Sequence, residues 1–212
     1  MRKPRKPTEP FGYAVFGKNG TVSKTIFQLS SEKKNQEKEA MDNFIKGITR
    51  IKPNLKIINM KQLQEADQDF LLETSIGSIT IQLTELVLLD YAKPLSEEEY
   101  RKGHHDAYIL KESGSIPWAV DSRRRDSALI RIIEKKLSKH YSKPSSGNFW
   151  LVIFSTSPCL ETEYHQGGKL MQGMPLIAAR EYLNSLPSCI FDQIWFNNLI
   201  TNPVQIWPYL LG

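Results

Sequence analysis

The stretch Gln68 to Asp90, QDFLLETSIGSITIQLTELVLLD, decides the fold because it reads as two buried strands joined by a tight turn. Asp69 opens the first arm, Ser75-Ile76-Gly77-Ser78 supplies the bend, and Ile79 to Thr84 brings a high density of β-branched residues to the second arm. Side chains alternate across a strand, so Thr80, Gln82 and Thr84 share one face while Ile79, Ile81, Leu83 and Glu85 take the other. On the first arm Asp69 and Leu71 lie opposite Phe70 and Leu72. A suitable register then sets the Asp69 carboxylate beside the Gln82 side chain. The expectation is an acid and a carbonyl-bearing residue converging at one edge of a sheet.

Outward from the hairpin, Leu55 to Met60 reads as a preceding strand, with Lys61 to Gln68 as a polar connector. Before it, Ser30 or Ser31 caps a helix to about Arg50, which Pro53 ends. Ala40, Met41, Phe44, Ile45 and Ile48 fall at helical spacing on its buried face. After it, Pro94 to Ser115 is a long polar insertion. Asp121 or Ser122 then caps a second helix to about Tyr141, whose Leu129, Ile130, Ile133 and Leu137 oppose a stripe of Arg124, Arg131, Lys135 and Lys139. Asn148 to Thr156 is continuously apolar and reads as a central strand buried on both faces. Residues 160–168 read as a polar loop, about 168–185 as a helix bent near Pro175, and Phe191 to Asn197 and Val204 to Trp207 as closing strands. This order gives the α/β class, with a mixed central sheet flanked by helices. It divides into a basic N-terminal tail and docking segment at 1–29 and a single α/β domain at 30–212. The core of that domain spans 30–156, and a C-terminal helix and two strands occupy 157–212.

An Asp at the start of one strand and a Gln-x-Thr late in the next resemble the metal site of the PD-(D/E)XK nuclease superfamily, whose pattern is Asp, a spacer, then Glu-x-Lys. The resemblance covers roughly residues 30 to 156. It implies a restriction-endonuclease-like core of order α-β-β-β-α-β and a Mg²⁺ or Mn²⁺ ion that activates water against a phosphodiester. Asp69 matches the first acid, Gln82 stands where Glu is expected, and Thr84 stands where Lys is expected. Gln offers a hard cation one neutral carbonyl oxygen and no charge, and Thr supplies no cation. The resemblance assigns the first helix's acid to Glu39, although Glu37 and Glu39 also alternate with Lys34 and Lys38 as an ordinary solvated face does. Glu85 joins the metal ligands only if a bulge re-aims it. Arg123 or Arg125 takes the role of the missing lysine, and Arg124, Arg131 and Lys135 extend the phosphate-contacting set. Two functions follow: metal-dependent hydrolysis of nucleic acid, or a catalytically inactive nuclease fold that binds nucleic acid or a protein partner.

The remaining features bound these readings without choosing between them. A chain of 212 residues, 40% hydrophobic and 24% charged, has the composition of an ordinary globular protein. It shows neither a membrane-length apolar run nor a secretory signal, so the expected compartment is the cytoplasm. A net charge of +5 permits nucleic acid as a partner but does not require it. Cys159 and Cys189 read as buried thiols. His104, His105 and Asp106 sit in the polar insertion without metal-ligand spacing.

Overall fold

The computed structural model describes residues 11–16, 22–27, 32–65, 68–86, 122–155, 163–166, 169–172, 174–199 and 202–208. The basic tail, the turn at Gly17 to Gly20, the insertion with His104, His105 and Asp106, and Cys159 lie outside these residues. Phe11–Phe16 (β1) and Val22–Phe27 (β2) form an antiparallel hairpin. The first long helix, α1, spans Lys33–Ile51.

Ile57–Glu65 (β3), Gln68–Thr74 (β4) and Gly77–Glu85 (β5) form an antiparallel meander. Ser75 and Ile76 make the turn between β4 and β5, where Thr74 pairs with Gly77. Gly77 has φ +109°, a value that glycine adopts without strain. The Thr74 hydroxyl donates to the Gly77 carbonyl at 2.6 Å and accepts from the Ile76 N–H at 3.2 Å, which fixes the turn locally. Segment 61–65, read from sequence as a connector, instead extends β3. Met60 pairs with Leu72 and Gln62 with Phe70, so ladder hydrogen bonds offset the weak strand preference of its Lys and Gln residues.

Helix α2 spans Ser122–Leu137 and strand β6 spans Asn148–Phe154. The helix stops four residues before Tyr141, the end expected from sequence. Glu163–Gln166 (β7) and Lys169–Gln172 (β8) pair as a second small hairpin, and helix α3 begins only at Met174. The expected loop at 160–168 and helix from 168 are corrected accordingly. Pro175 sits in the first turn of α3, where a missing N–H costs nothing, so it starts the helix rather than bending it. Gln193–Asn197 (β9) and Val204–Trp207 (β10) complete the chain.

The main sheet has six strands in the order β10-β9-β6-β5-β4-β3. β5, β6 and β9 run parallel, while β3, β4 and β10 are antiparallel to their neighbours, which makes the sheet mixed. β6 is central and buried on both faces, as its unbroken apolar run requires. Because the sheet includes β9 and β10, the core extends beyond the expected boundary at residue 156.

Two apolar cores sandwich this sheet. On one face Ala40, Met41, Phe44 and Ile48 of α1 meet Phe70, Leu72, Ile79, Ile81, Leu83, Trp150, Val152 and Trp195. Phe44 meets Trp195 edge-on at 5.9 Å between ring centroids. On the other face Ala128, Leu129 and Ile133 of α2 and Leu176, Ala179 and Leu183 of α3 cover Phe149, Leu151, Ile153, Ile194 and Phe196. Among the described residues no helix is long and apolar enough to cross a membrane.

Candidate functional site

Strand alternation divides the β4–β5 hairpin between the two faces. Phe70, Leu72, Ile79, Ile81 and Leu83 point toward α1, so Asp69, Thr80, Gln82 and Thr84 take the face covered by α2 and α3. The register pairs Phe70 with Ile81, which sets Asp69 against Gln82 one step further along. The Gln82 amide nitrogen Nε2 donates to Asp69 Oδ2, and the Leu83 N–H donates to the same oxygen at 2.7 Å. Nε2 also donates to the Leu83 carbonyl at 3.3 Å.

The structure thus unites the expected acid and amide but reverses the amide's role. The carbonyl oxygen expected to face a cation, Gln82 Oε1, is turned away, buried and without a hydrogen-bond partner among the described residues. The reason is charge. A carboxylate and a backbone carbonyl converge on this spot, and only the NH₂ end of an amide can satisfy both.

Thr84 is half-buried on the Gln82 face, two residues along β5. Glu85 is half-buried on the opposite face. β5 keeps a regular register with β4 as far as Ile81 and with β6 as far as Glu85, so no bulge turns Glu85 toward Asp69. Glu39 is exposed on α1, the helix that covers the other face of the sheet. The buried polar residue of that helix is Gln36, whose Nε2 lacks a partner among the described residues.

Helix α2 supplies a group that the sequence reading passed over. Lys136 is only 8% exposed. It follows Leu129 and Ile133 at seven and three residues, so helical geometry carries it onto their buried face. It lies within charge range of Asp69, yet makes no ion pair within 4.0 Å among the described residues. Burial, together with neighbouring Lys139, lowers its pKa from 10.5 to about 8, against the opposing pull of Asp69. Burial also raises the Asp69 pKa, while the Leu83 N–H, Lys136, Lys33 and the Gln82 amide each oppose that rise.

Arg131 and Lys135 are exposed on the outer side of α2, consistent with the stripe read from sequence. Arg123, Arg124 and Arg125 belong to the first turns of the helix, and their side chains lie outside the described residues. Cys189 is a half-buried free thiol.

These donors do not fit a divalent cation as they stand. Asp69 is the one carboxylate at the pair, its Oδ2 already accepts two hydrogen bonds, and the space between Oδ2 and the Leu83 carbonyl holds an amide nitrogen. Hard cations need several oxygens with negative charge among them. Among the described residues, no three His, Cys, Asp or Glu side chains are grouped so as to hold a metal. No family model, curated protein or solved structure matches the chain.

Proposed function

We propose that this chain is a PD-(D/E)XK-like protein that has exchanged hydrolysis for binding, and that it holds nucleic acid through the phosphates along α2. One observation carries this reading: the basic helix α2 packs on the same face of the sheet as the locked Asp69–Gln82 pair, and its Lys136 is buried within charge range of Asp69. Over Ser122–Leu137 the sequence has six basic residues against two acidic ones, and Lys139 lies two residues beyond its end. Arg131 and Lys135 face solvent, where contact with phosphates releases condensed counterions. The Asp69 carboxylate does not counter this attraction fully, because two hydrogen bonds tie its charge inward.

The test is fluorescence anisotropy with short single- and double-stranded DNA and RNA in EDTA, across a salt series. Binding should weaken as salt rises, with a log–log slope that falls by about 1 for each phosphate-contacting side chain removed in Arg131→Ala and Lys135→Ala. Absence of salt-dependent binding to any of these oligonucleotides overturns the reading and leaves a protein partner as the function of the fold.

Metal-dependent phosphodiester hydrolysis has one observation in its favour: Asp69 Oδ1 takes no hydrogen bond from any described residue. Calorimetry with Mn²⁺ on the wild type and on Asp69→Ala separates the two readings. Asp69-dependent Mn²⁺ binding by the wild type, together with Mn²⁺-dependent cleavage of oligonucleotides, would restore the hydrolytic one.

A further inference from the structure

We infer that the end of the molecule where α1 runs out and the β4–β5 hairpin turns is a docking surface for an anionic lipid bilayer, entered by three isoleucines and held by the basic residues around them. The inference does not rest on nucleic-acid binding, which uses α2.

Among the described residues, the exposed large hydrophobic side chains are Ile51, Ile58 and Ile76, at 42%, 71% and 63% exposure. Single apolar side chains at a surface are ordinary, but these three are gathered. Ile51 is the last residue of α1, Ile58 is the second of β3, and Ile76 sits in the turn between β4 and β5. Between Ile51 and Ile58 the chain turns back as the Leu55 N–H donates to the Lys52 carbonyl at 2.9 Å, and the Leu55 side chain is buried. Ser75 stitches the hairpin turn to that loop. Its Oγ donates to the Asn54 carbonyl at 3.1 Å and accepts from the Lys56 N–H at 3.1 Å, and its own N–H donates to the Lys56 carbonyl at 2.9 Å. Ile76 follows directly, so one hydrogen-bonded junction carries all three isoleucines.

The charge along this junction is almost wholly of one sign. From Asn43 to Gln64 the sequence contains five basic residues and no acid, and Lys46, Arg50 and Lys56 of this stretch are exposed. Glu73, exposed near the end of β4, is the carboxylate closest in sequence to the turn. Such a surface suits a partner that is both anionic and apolar.

Nucleic acid meets the charges but leaves the isoleucines in water. A second copy of the same face would bring like charges together. A folded acidic protein needs a shape matched to side chains mounted on a helix end, a strand start and a hairpin tip, whereas a fluid bilayer accepts each of them separately. Anionic headgroups answer the Lys and Arg, and the acyl boundary takes up the isoleucines. The chain rests on such a surface and does not cross it.

The experiment is co-sedimentation of the full chain, in EDTA at low salt, with vesicles of phosphatidylcholine that contain or lack phosphatidylserine. Wild type should pellet with the phosphatidylserine vesicles and stay in solution with phosphatidylcholine alone. Ile51→Ser/Ile58→Ser/Ile76→Ser should weaken the binding at least about tenfold, and Arg50→Gln/Lys56→Gln should weaken it roughly tenfold. Glu73→Gln removes the opposing charge and should strengthen it by up to about fivefold. All these positions are exposed, so the variants keep the fold, and the triple serine variant should keep the oligonucleotide affinity of the wild type. A wild type that ignores phosphatidylserine vesicles overturns the inference and leaves an acidic protein as the occupant. Vesicle binding that the isoleucine replacements leave unchanged also overturns it, because charge alone then explains the adhesion. A wild-type dimer in sedimentation velocity that the triple serine variant disperses assigns the face to a second copy instead.

Discussion

The two faces of the β4–β5 hairpin are built from alternate residues of the same strands, yet they solve different problems. Toward α1, the hairpin presents Phe70, Leu72, Ile79, Ile81 and Leu83, and burial under Ala40, Met41, Phe44 and Ile48 is ordinary apolar packing. Toward α2, the same strands present Asp69, Thr80 and Gln82, with Thr80 and Gln82 as thoroughly buried as their apolar neighbours. Burying polar groups costs free energy unless each finds a partner. On that face the expense falls on the Asp69–Gln82–Leu83 bonds, on an Oε1 without a partner among the described residues and on a nearly buried lysine. The difference teaches that one face is kept for stability, while the other retains polar residues at a cost that packing alone does not explain.

The sharpest way to break this contrast is to damage each face in turn. Phe44→Ala, on the apolar side, should cost roughly 3–5 kcal/mol in chemical denaturation. It should leave the oligonucleotide affinity of the folded fraction unchanged. Asp69→Ala, on the polar side, leaves one hydrogen of the Gln82 NH₂ and the Leu83 N–H without their acceptor and should cost about 2–4 kcal/mol. A loss below the scale of a surface substitution would show that the Asp69 bonds hold nothing together.

Lys136→Met sharpens the comparison in the opposite direction. The folded lysine releases its proton near pH 8, whereas the unfolded one holds it until about 10.5, so the unfolded state binds more protons across that window. Wild-type stability should therefore rise from about pH 8 to about pH 10.5. Lys136→Met should abolish this rise and be more stable at neutral pH by roughly 1–3 kcal/mol. Urea unfolding at several pH values reads both effects, and a flat wild-type profile would contradict the buried ammonium. The smallest effects belong to Arg131→Ala and Lys135→Ala, which should shift stability by no more than about 0.5 kcal/mol while lowering nucleic-acid affinity at low salt.

Much of the architecture was readable because its signals are local. The hairpin register follows from a short turn flanked by period-two alternation, and it places Asp69 opposite Gln82 with no long-range information. β6 announced itself by an apolar run too long for a half-exposed strand. β7 was missed because Glu163–Gln166 is polar enough to read as a loop, and β8 because Leu170 falls at helical spacing with Met174 and Ile177; cross-strand pairing decided both outcomes. Lys136 was missed for a different reason. A lysine is assigned to solvent by residue type, whereas its position three residues after Ile133 assigned it to the interior. Glu39 shows the converse, since a plausible acid on the right helix is exposed while Gln36 holds the buried polar position. The orientation of the Gln82 amide had no sequence signal at all, because it depends on a carbonyl that every residue possesses.

The mixed sheet also imposes an order of assembly. β3, β4 and β5 are consecutive neighbours, whereas β6 must return from beyond the long insertion to lie parallel to β5. Closing that distant contact is slow compared with zipping a hairpin. The acid–amide lock is therefore expected to form while its future cover is still searching for its place. Pulsed hydrogen exchange should detect protection of the Leu83 amide before that of Leu151. The polar trio accordingly spends its earliest moments in contact with water, and its burial is a late event that α2 completes.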